Sequence, residues 1–186
     1  MDRILEILLT YLSDTDILNL LSTCKTFAAM RPLARLTGHY SYQLQQKTGF
    51  RMSHIYFTTN GEPIPDGVTH LTIKRLGVDF PKIPESVTYI TFCKNFNQSV
   101  TLPPYTVSVR FGDNFNQLIT LTSKITHVYF GRSYNQPTTF PESVKHVEFG
   151  LHYNQPTIFP MGVEYVKFGN KFNNQFNQHL PNLIHL

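Results

Sequence analysis

The stretch Val128-Tyr129-Phe130-Gly131-Arg132-Ser133-Tyr134-Asn135-Gln136-Pro137 returns nineteen residues later as Val147-Glu148-Phe149-Gly150-Leu151-His152-Tyr153-Asn154-Gln155-Pro156. The same step links Phe92, Phe111, Phe130, Phe149 and Phe168, and it carries Gly112 to Gly131, Gly150 and Gly169. A second aromatic column holds Phe96, Phe115, Tyr134, Tyr153 and Phe172, each followed by Asn (97, 116, 135, 154 and 173). Pro65, Pro84, Pro103, Pro141 and Pro160 keep the phase, with Thr122 as the exception. Chance does not hold five positions in register over five units, so the chain is an array of repeats.

Each unit reads as one short strand with an irregular return. Around Tyr89–Phe92 and its counterparts, inward apolar and outward variable residues alternate, as in a strand, and β-branched and aromatic types dominate. The Gly after the strand is expected to permit turn geometry, and the Pro to open the next coil. Nineteen residues are too few for a strand, a full helix and two loops. The expected fold is therefore a β-solenoid of about six coils over residues 65–186, stable only through stacking of neighbours. The repeated Asn is expected to satisfy backbone groups of its own or an adjacent coil. An exposed Asn-Gln ladder for ligand recognition is the competing reading.

The N-terminal stretch is of another kind. Ile4, Leu5, Leu8 and Leu12 lie at helical spacing, flanked by Ile7 and Tyr11. Ser13-Asp14-Thr15-Asp16 interrupts with capping residues, Ser13 and Asp16 at the spacing of a capping box. Ile17, Leu18, Leu20, Leu21 and Cys24 form a second apolar helix, and Pro32 stops a third turn. So few residues cannot hide so many large apolar groups. The helices either cap the open solenoid end or present their face to a partner's groove.

Composition excludes several classes. A net charge of +4, scattered along the chain, is no nucleic-acid footprint. With 41% hydrophobic and 13% aromatic residues the chain is not a disordered tail. No apolar run reaches the ~18 residues of a membrane span. The opening Met1-Asp2-Arg3 leads into a helix pattern unlike a signal peptide. Two cysteines, Cys24 and Cys93, are too few for a disulfide framework and point to a reducing compartment, hence an intracellular, cytoplasmic protein. Both sit in apolar contexts as small core residues. No phosphate loop, H-E-x-x-H or G-x-S-x-G occurs, and His127 with His146 lack further ligands for a metal. No catalytic residue, cofactor or metal is expected.

Two resemblances follow from these residues. The runs Phe130–Pro137, Phe149–Pro156 and Phe111–Gln117 resemble the FNIP repeat, a family found in giant viruses and social amoebae and regarded as related to leucine-rich repeats. The run from Ile4 through Tyr11-Leu12-Ser13-Asp14 to Cys24-Lys25-x-Phe27 resembles an F-box, without the usual opening Leu-Pro. Together they imply a small all-α F-box-like module at residues 1–45, a connection and solenoid cap at 46–64, and a leucine-rich-repeat-like solenoid at 65–186. The F-box resemblance implies docking of an Skp-type adaptor and cullin through Ile4, Leu5, Leu8, Tyr11, Leu12, Ile17, Leu18, Leu20 and Leu21. The chain would then be the substrate-recognition adaptor of a cullin–RING ubiquitin ligase, in the host cytoplasm if viral. The alternative is a protein-binding scaffold with a helical cap and no ubiquitin link.

A target-holding scaffold should present residues that differ between copies. Outward strand positions form one column of His70, Tyr89, Ser108, His127, His146 and Tyr165, and a second of Thr72, Thr91, Arg110, Tyr129, Glu148 and Lys167. Tyr89, Arg110, Tyr129 and Glu148 are the candidate target-binding residues, since Tyr and Arg are enriched among interface anchors. A solvated face whose residues drifted is the equally open alternative.

Overall fold

The computed structural model describes residues 12–22, 35–48, 50–75, 82–176 and 178–184. The chain divides into two compact units, one of the described residues up to Phe57 with Val68–His70, the other of Thr58–Gly67 with Leu71 onward.

In the first unit, helix α1 spans Asp14–Ser22. Ser13 caps the helix as its spacing predicts, its Oγ accepting the Asp16 N–H at 3.3 Å, while the Asp16 carboxylate accepts the Ser13 hydroxyl at 2.6 Å in place of the backbone N–H of a full capping box. Ile17 and Leu21, one helical turn apart, are the buried face. The expectation of an all-helical module to residue 45 fails beyond the helix. Arg35–Ser41 is strand β1, Tyr42–Thr48 helix α2 and Arg51–Thr59 strand β2, with β1 and β2 parallel. Strand β1 carries a Gly and an irregular register between Leu36 and His39, so it shows no clean alternation. Asp14 ties α1 to β1. Its carboxylate accepts the Thr37 N–H at 2.9 Å, the Gly38 N–H at 2.6 Å and the Tyr40 hydroxyl at 2.7 Å.

Six further short strands follow: β3 (His70–Ile73), β4 (Tyr89–Thr91), β5 (Ser108–Arg110), β6 (His127–Tyr129), β7 (His146–Glu148) and β8 (Tyr165–Lys167). From β2 to β8 the strands begin nineteen residues apart, so the fold is a parallel β-solenoid of about seven turns where six coils were expected. The additional turn lies in the stretch read as connection and cap. Its buried residues Met52, Ile55 and Thr59 do not alternate, which conceals the strand in the sequence.

Strands β4 to β8 pair in parallel with the register the repeat predicts, as in Val109↔Val128↔Val147↔Val166. From Pro84 onward each coil has two tight turns. One opens at the Pro column, where Pro141 O accepts the Val144 N–H at 3.1 Å, with Thr122 serving Ile125 equally well at 3.2 Å. The other opens at the Gly column, where Gly112 O accepts the Phe115 N–H at 3.2 Å. These glycines do not have positive φ. Their role is close approach: a Cβ on Gly131 would sit 2.1 Å from Gly112 O, and one on Gly150 2.2 Å from Gly131 O. The expected turn is there, but close approach of the preceding coil, not the turn's own geometry, is what requires glycine.

The core is a double file of rings. Phe92, Phe111, Phe130, Phe149 and Phe168 stack at 5.3 to 5.6 Å, nearly coplanar in orientation. Each also stacks on its own coil's second ring, Phe130 on Tyr134 at 3.9 Å. Tyr replaces Phe in the second file only where Thr follows four residues on. Tyr134 bonds Thr138 and Tyr153 bonds Thr157, each at 2.5 Å, whereas Phe115 precedes Ile119 and Phe96 precedes Val100. The fully buried hydroxyls thereby keep a partner.

The Asn column is a ladder between coils. Asn97, Asn116, Asn135 and Asn154 Oδ1 accept the backbone N–H of the Asn one coil on, at 2.9 to 3.0 Å. Gln136 and Gln155 Nε2 donate to the preceding coil's Asn carbonyl at 3.1 Å. The ladder is half-buried at Asn116, Asn135 and Asn154 and exposed at its ends, Asn97 and Asn173. Asn174 takes the Gln place in the last coil, donating to Asn154 O at 2.9 Å.

Candidate protein-binding face

Parallel pairing with no slip sets the outward strand residues in the two expected columns. Because adjacent strands lie about 4.8 Å apart, side chains in one column touch. The Arg110 guanidinium lies over the Tyr129 ring, 3.9 Å from its centroid. In the neighbouring column His127, His146 and Tyr165 stack at 5.4 and 4.1 Å. His146 Nε2 lies 2.9 Å from Glu148 Oε1, which joins the columns, as does the Tyr129–His146 ring contact at 5.1 Å.

Arg110, Tyr129, Glu148 and Lys167 line one groove of about 650 Å³ with Asp113, Arg132, Gly131, Gly150 and Leu151. Of the four candidate target residues, three meet there. Tyr89, 41% exposed on β4, pairs in register with Ser108 and lies outside it. Lys167 and Arg132 join the site without having been singled out. Lys167 was legible as the next place in the Arg110 column, whereas Arg132 comes from the turn after the strand, where no strand alternation points.

Electrostatics across this face follow burial. Burial lowers the pKa of His127, and the adjacent His146 adds to it against a smaller opposite pull from Glu164. Burial raises that of Tyr129, with Arg110 opposing. His127 Nδ1 lies 2.8 Å from Thr126 Oγ1, whose hydroxyl donates to Val107 O at 3.2 Å.

The docking candidates at the N-terminus separate. Ile4, Leu5, Leu8 and Tyr11 lie outside the described residues. Ile17 and Leu21 are buried at 1% and 0% exposure, turned into their own unit. Leu20 is half-buried, and Leu12 and Leu18 are exposed at 37% each. The helix face with the right apolar period is the one the unit itself uses.

Two features had no counterpart in the sequence reading. His39, His54 and His70 cluster with Tyr56, ring centroids 4.3 to 5.9 Å apart. Burial, then the charges of His54 and His39, push the His70 pKa down to about 4. Asp14 is the other. Burial works against its charge, but the bonds from Thr37, Tyr40 and Gly38 prevail and its pKa lies below the usual value. Tyr40 is raised to about 12 by burial and by Asp14. Among the described residues no group of His, Cys, Asp and Glu is placed to hold a metal ion. Cys93, expected in the core, is half-buried and free. A larger depression of about 780 Å³ lies among return turns, lined by Asp66, Lys82, Glu85 and Ser86, away from the strand columns.

Residues 115–152 match the FNIP Repeat family. The matched FNIP stretch contains β6 and β7, Asn116 and Asn135 of the Asn ladder, and the groove residues Tyr129, Arg132 and Glu148. The nineteen-residue register extends the same framework to both sides of it. No F-box is detected. The crystal structure of CroV588, a giant-virus protein described as a novel circular LRR protein, is similar with a TM-score of 0.60 and 24% identity. The likeness covers 83% of this chain and 31% of that one, so this chain spans less than a third of that protein's length. It shows the fold. No curated protein matches the chain. FNIP repeats are typically non-catalytic scaffolds. No helix among the described residues is long and apolar enough to cross a membrane.

Proposed function

We propose that this chain is an FNIP-type repeat scaffold that binds a protein through the outward face of its strands, without a ubiquitin link. The observation that carries the reading is the division of labour along the coil. Phe, Gly, Asn and Gln repeat because packing and ladder bonds engage them, while Arg110, Tyr129, Glu148 and Lys167 differ and converge on one groove. Drift on a merely solvated face does not require the Arg110–Tyr129 and His146–Tyr165 contacts between coils.

The test is crosslinking and mass spectrometry from expressing cells, comparing wild type with Tyr89→Ala, Arg110→Ala, Tyr129→Ala and Glu148→Ala combined. These side chains lie outside the ring files, so the melting curve should hold while specific partners disappear. The same partners captured by both proteins would reject the face.

Adaptor docking of the ligase kind rests on the F-box resemblance alone. Burial of Ile17 and Leu21 removes two of its contact residues from the surface. A pull-down with an Skp-type adaptor and cullin, at a concentration where an established F-box binds, separates the readings. Binding abolished by Leu20→Asp would restore the adaptor role.

A further inference from the structure

The groove on the strand face has a charge pattern that specifies its occupant, and the inference rests on the scaffold reading above. Three cations line it, Arg110, Arg132 and Lys167, against two carboxylates, Asp113 and Glu148. Both carboxylates already have partners, Asp113 with Lys94 at 3.8 Å and Glu148 with His146 at 2.9 Å. The remaining ion pair among the described residues, Lys145–Glu164, leaves the groove untouched. Arg110, Arg132 and Lys167 thus have no ion-pair partner among the described residues, while Arg110 is held in place over Tyr129.

We propose that the groove binds an extended acidic peptide segment of a partner protein, running along the column from Arg110 to Lys167. Spacing supports the mode. Arg110 on β5 and Lys167 on β8 are three strand steps apart, about 14 Å at about 4.8 Å per step. An extended peptide advances about 3.4 Å per residue, so acids four residues apart span about 14 Å. The Tyr129 ring between them offers an apolar contact. Glu148, two steps from Arg110, disfavours a continuous acidic run and so selects separated acids. Arg has a planar fork suited to a carboxylate, and its place on Tyr129 reduces the freedom lost on binding.

The probe is a fluorescein-labelled peptide, Ser-Glu-Thr-Val-Thr-Glu-Ser-Gly, read by anisotropy against the full chain at two salt concentrations. Controls are the same peptide with both Glu changed to Gln, one with the two Glu adjacent, and a single-stranded oligonucleotide. The expected result is binding of the spaced Glu peptide, weakened by salt, and at least several-fold weaker for both peptide controls. Arg110→Gln and Lys167→Gln should each weaken it about three- to fivefold, the range of exposed charge pairs. Glu148→Gln should tighten it about two- to threefold, a gain that misfolding cannot mimic. Equal binding of Glu and Gln peptides, no binding of either, or stronger binding of the oligonucleotide overturns the assignment. Any of these leaves the scaffold reading to the crosslinking comparison, which the four-residue variant decides separately.

Discussion

Replacing Gly131 by Ala separates two explanations of the glycine column that agree about the sequence and disagree about sign. If the glycine only ended a strand, Ala in its ordinary backbone conformation would restrict the unfolded chain and raise stability by about 0.4–1 kcal/mol. The stacked coils demand the opposite. An added Cβ would meet Gly112 O at 2.1 Å, Gly112 C at 2.4 Å and Asp113 Cα at 2.7 Å, all backbone of the preceding coil. Relief to an ordinary contact of about 3.4 Å requires the coils to part locally by about 1.3 Å. That separation breaks the bonds bridging the same two coils, Phe111 N–H to Tyr129 O and Ser133 N–H to Asp113 O, both at 2.8 Å. It also breaks Asn135 N–H to Asn116 Oδ1 at 2.9 Å. At about 1 kcal/mol each, before any loss of ring stacking, Gly131→Ala should cost at least about 3 kcal/mol. Two other glycines calibrate the series. At Gly162 the nearest atom to a new Cβ is the mobile tip of Lys145 at 3.2 Å, so Ala should cost only a few tenths of a kcal/mol. Gly67 has φ +84° with open space around it, so Ala there pays only the left-handed penalty, about 1–2 kcal/mol. Urea denaturation ranks the three, and hydrogen exchange locates the opening between the coils of β5 and β6. A Gly131→Ala protein as stable as wild type, or more so, would refute the close-approach argument.

Three further outcomes follow from the same packing. Asn135→Ala removes the acceptor of the Asn154 N–H at 2.9 Å and one of two acceptors of Gln155 Nε2, and at this half-buried site should cost about 1–2 kcal/mol in a urea melt; an unchanged melt removes the ladder as a stabilising device. Thr138→Val strands the buried Tyr134 hydroxyl and should cost about 1–3 kcal/mol, whereas Thr138→Val on Tyr134→Phe should cost clearly less; additive losses in that cycle would contradict the pairing. His70 has its pKa lowered from 6.5 to about 4 by burial and by His54 and His39. The unfolded chain therefore takes up a proton between those values that the folded one refuses, so stability present above pH 6.5 falls as pH drops towards 4. An imidazole titration of His70 by NMR with a midpoint near 6.5 would contradict this, and His70→Asn should flatten the pH dependence.

How much of this could be read beforehand depended on whether a residue's role leaves a mark in identity or only in distance. The aromatic files and the Asn ladder were legible, because a contact made identically in every coil demands the same residue in every coil. The glycine column was equally visible, yet its cause was misread. Identity shows that a Cβ is forbidden, but not that the obstruction is a carbonyl of the neighbouring coil. The strand β2 was missed because Met52, Ile55 and Thr59 break the period of two. The Tyr–Thr pairing was present in the sequence as covariation between Tyr134 and Thr138, and between Tyr153 and Thr157, and absent where Phe115 meets Ile119. In the site, Arg110, Tyr129 and Glu148 followed from strand alternation, while Arg132 enters from a turn. In α1 the Ser13 cap was legible, but the periodicity of Ile17 and Leu21 says only that the face is covered, not by what.

The mode of stacking also explains why the functional surface lies where it does. In the coils of β5 to β8 the turn backbone is engaged by cross-coil bonds, such as Ser133 N–H to Asp113 O and Asn154 N–H to Asn135 Oδ1. Substitutions there disturb two coils at once. The strand backbone is held equally firmly, with Phe130 N–H donating to Glu148 O at 2.8 Å, but its outward side chains share none of those bonds. Positions such as 110, 129, 148 and 167 can therefore change residue type at little cost to the fold, while the parallel ladder keeps them about 4.8 Å apart. A binding face with a fixed pitch and free chemistry follows from that combination. Exchanging Glu148 for Lys should accordingly alter which peptide is captured while leaving the unfolding free energy from a urea melt within about 0.5 kcal/mol of wild type. A loss of several kcal/mol would place this column in the framework instead of the binding face.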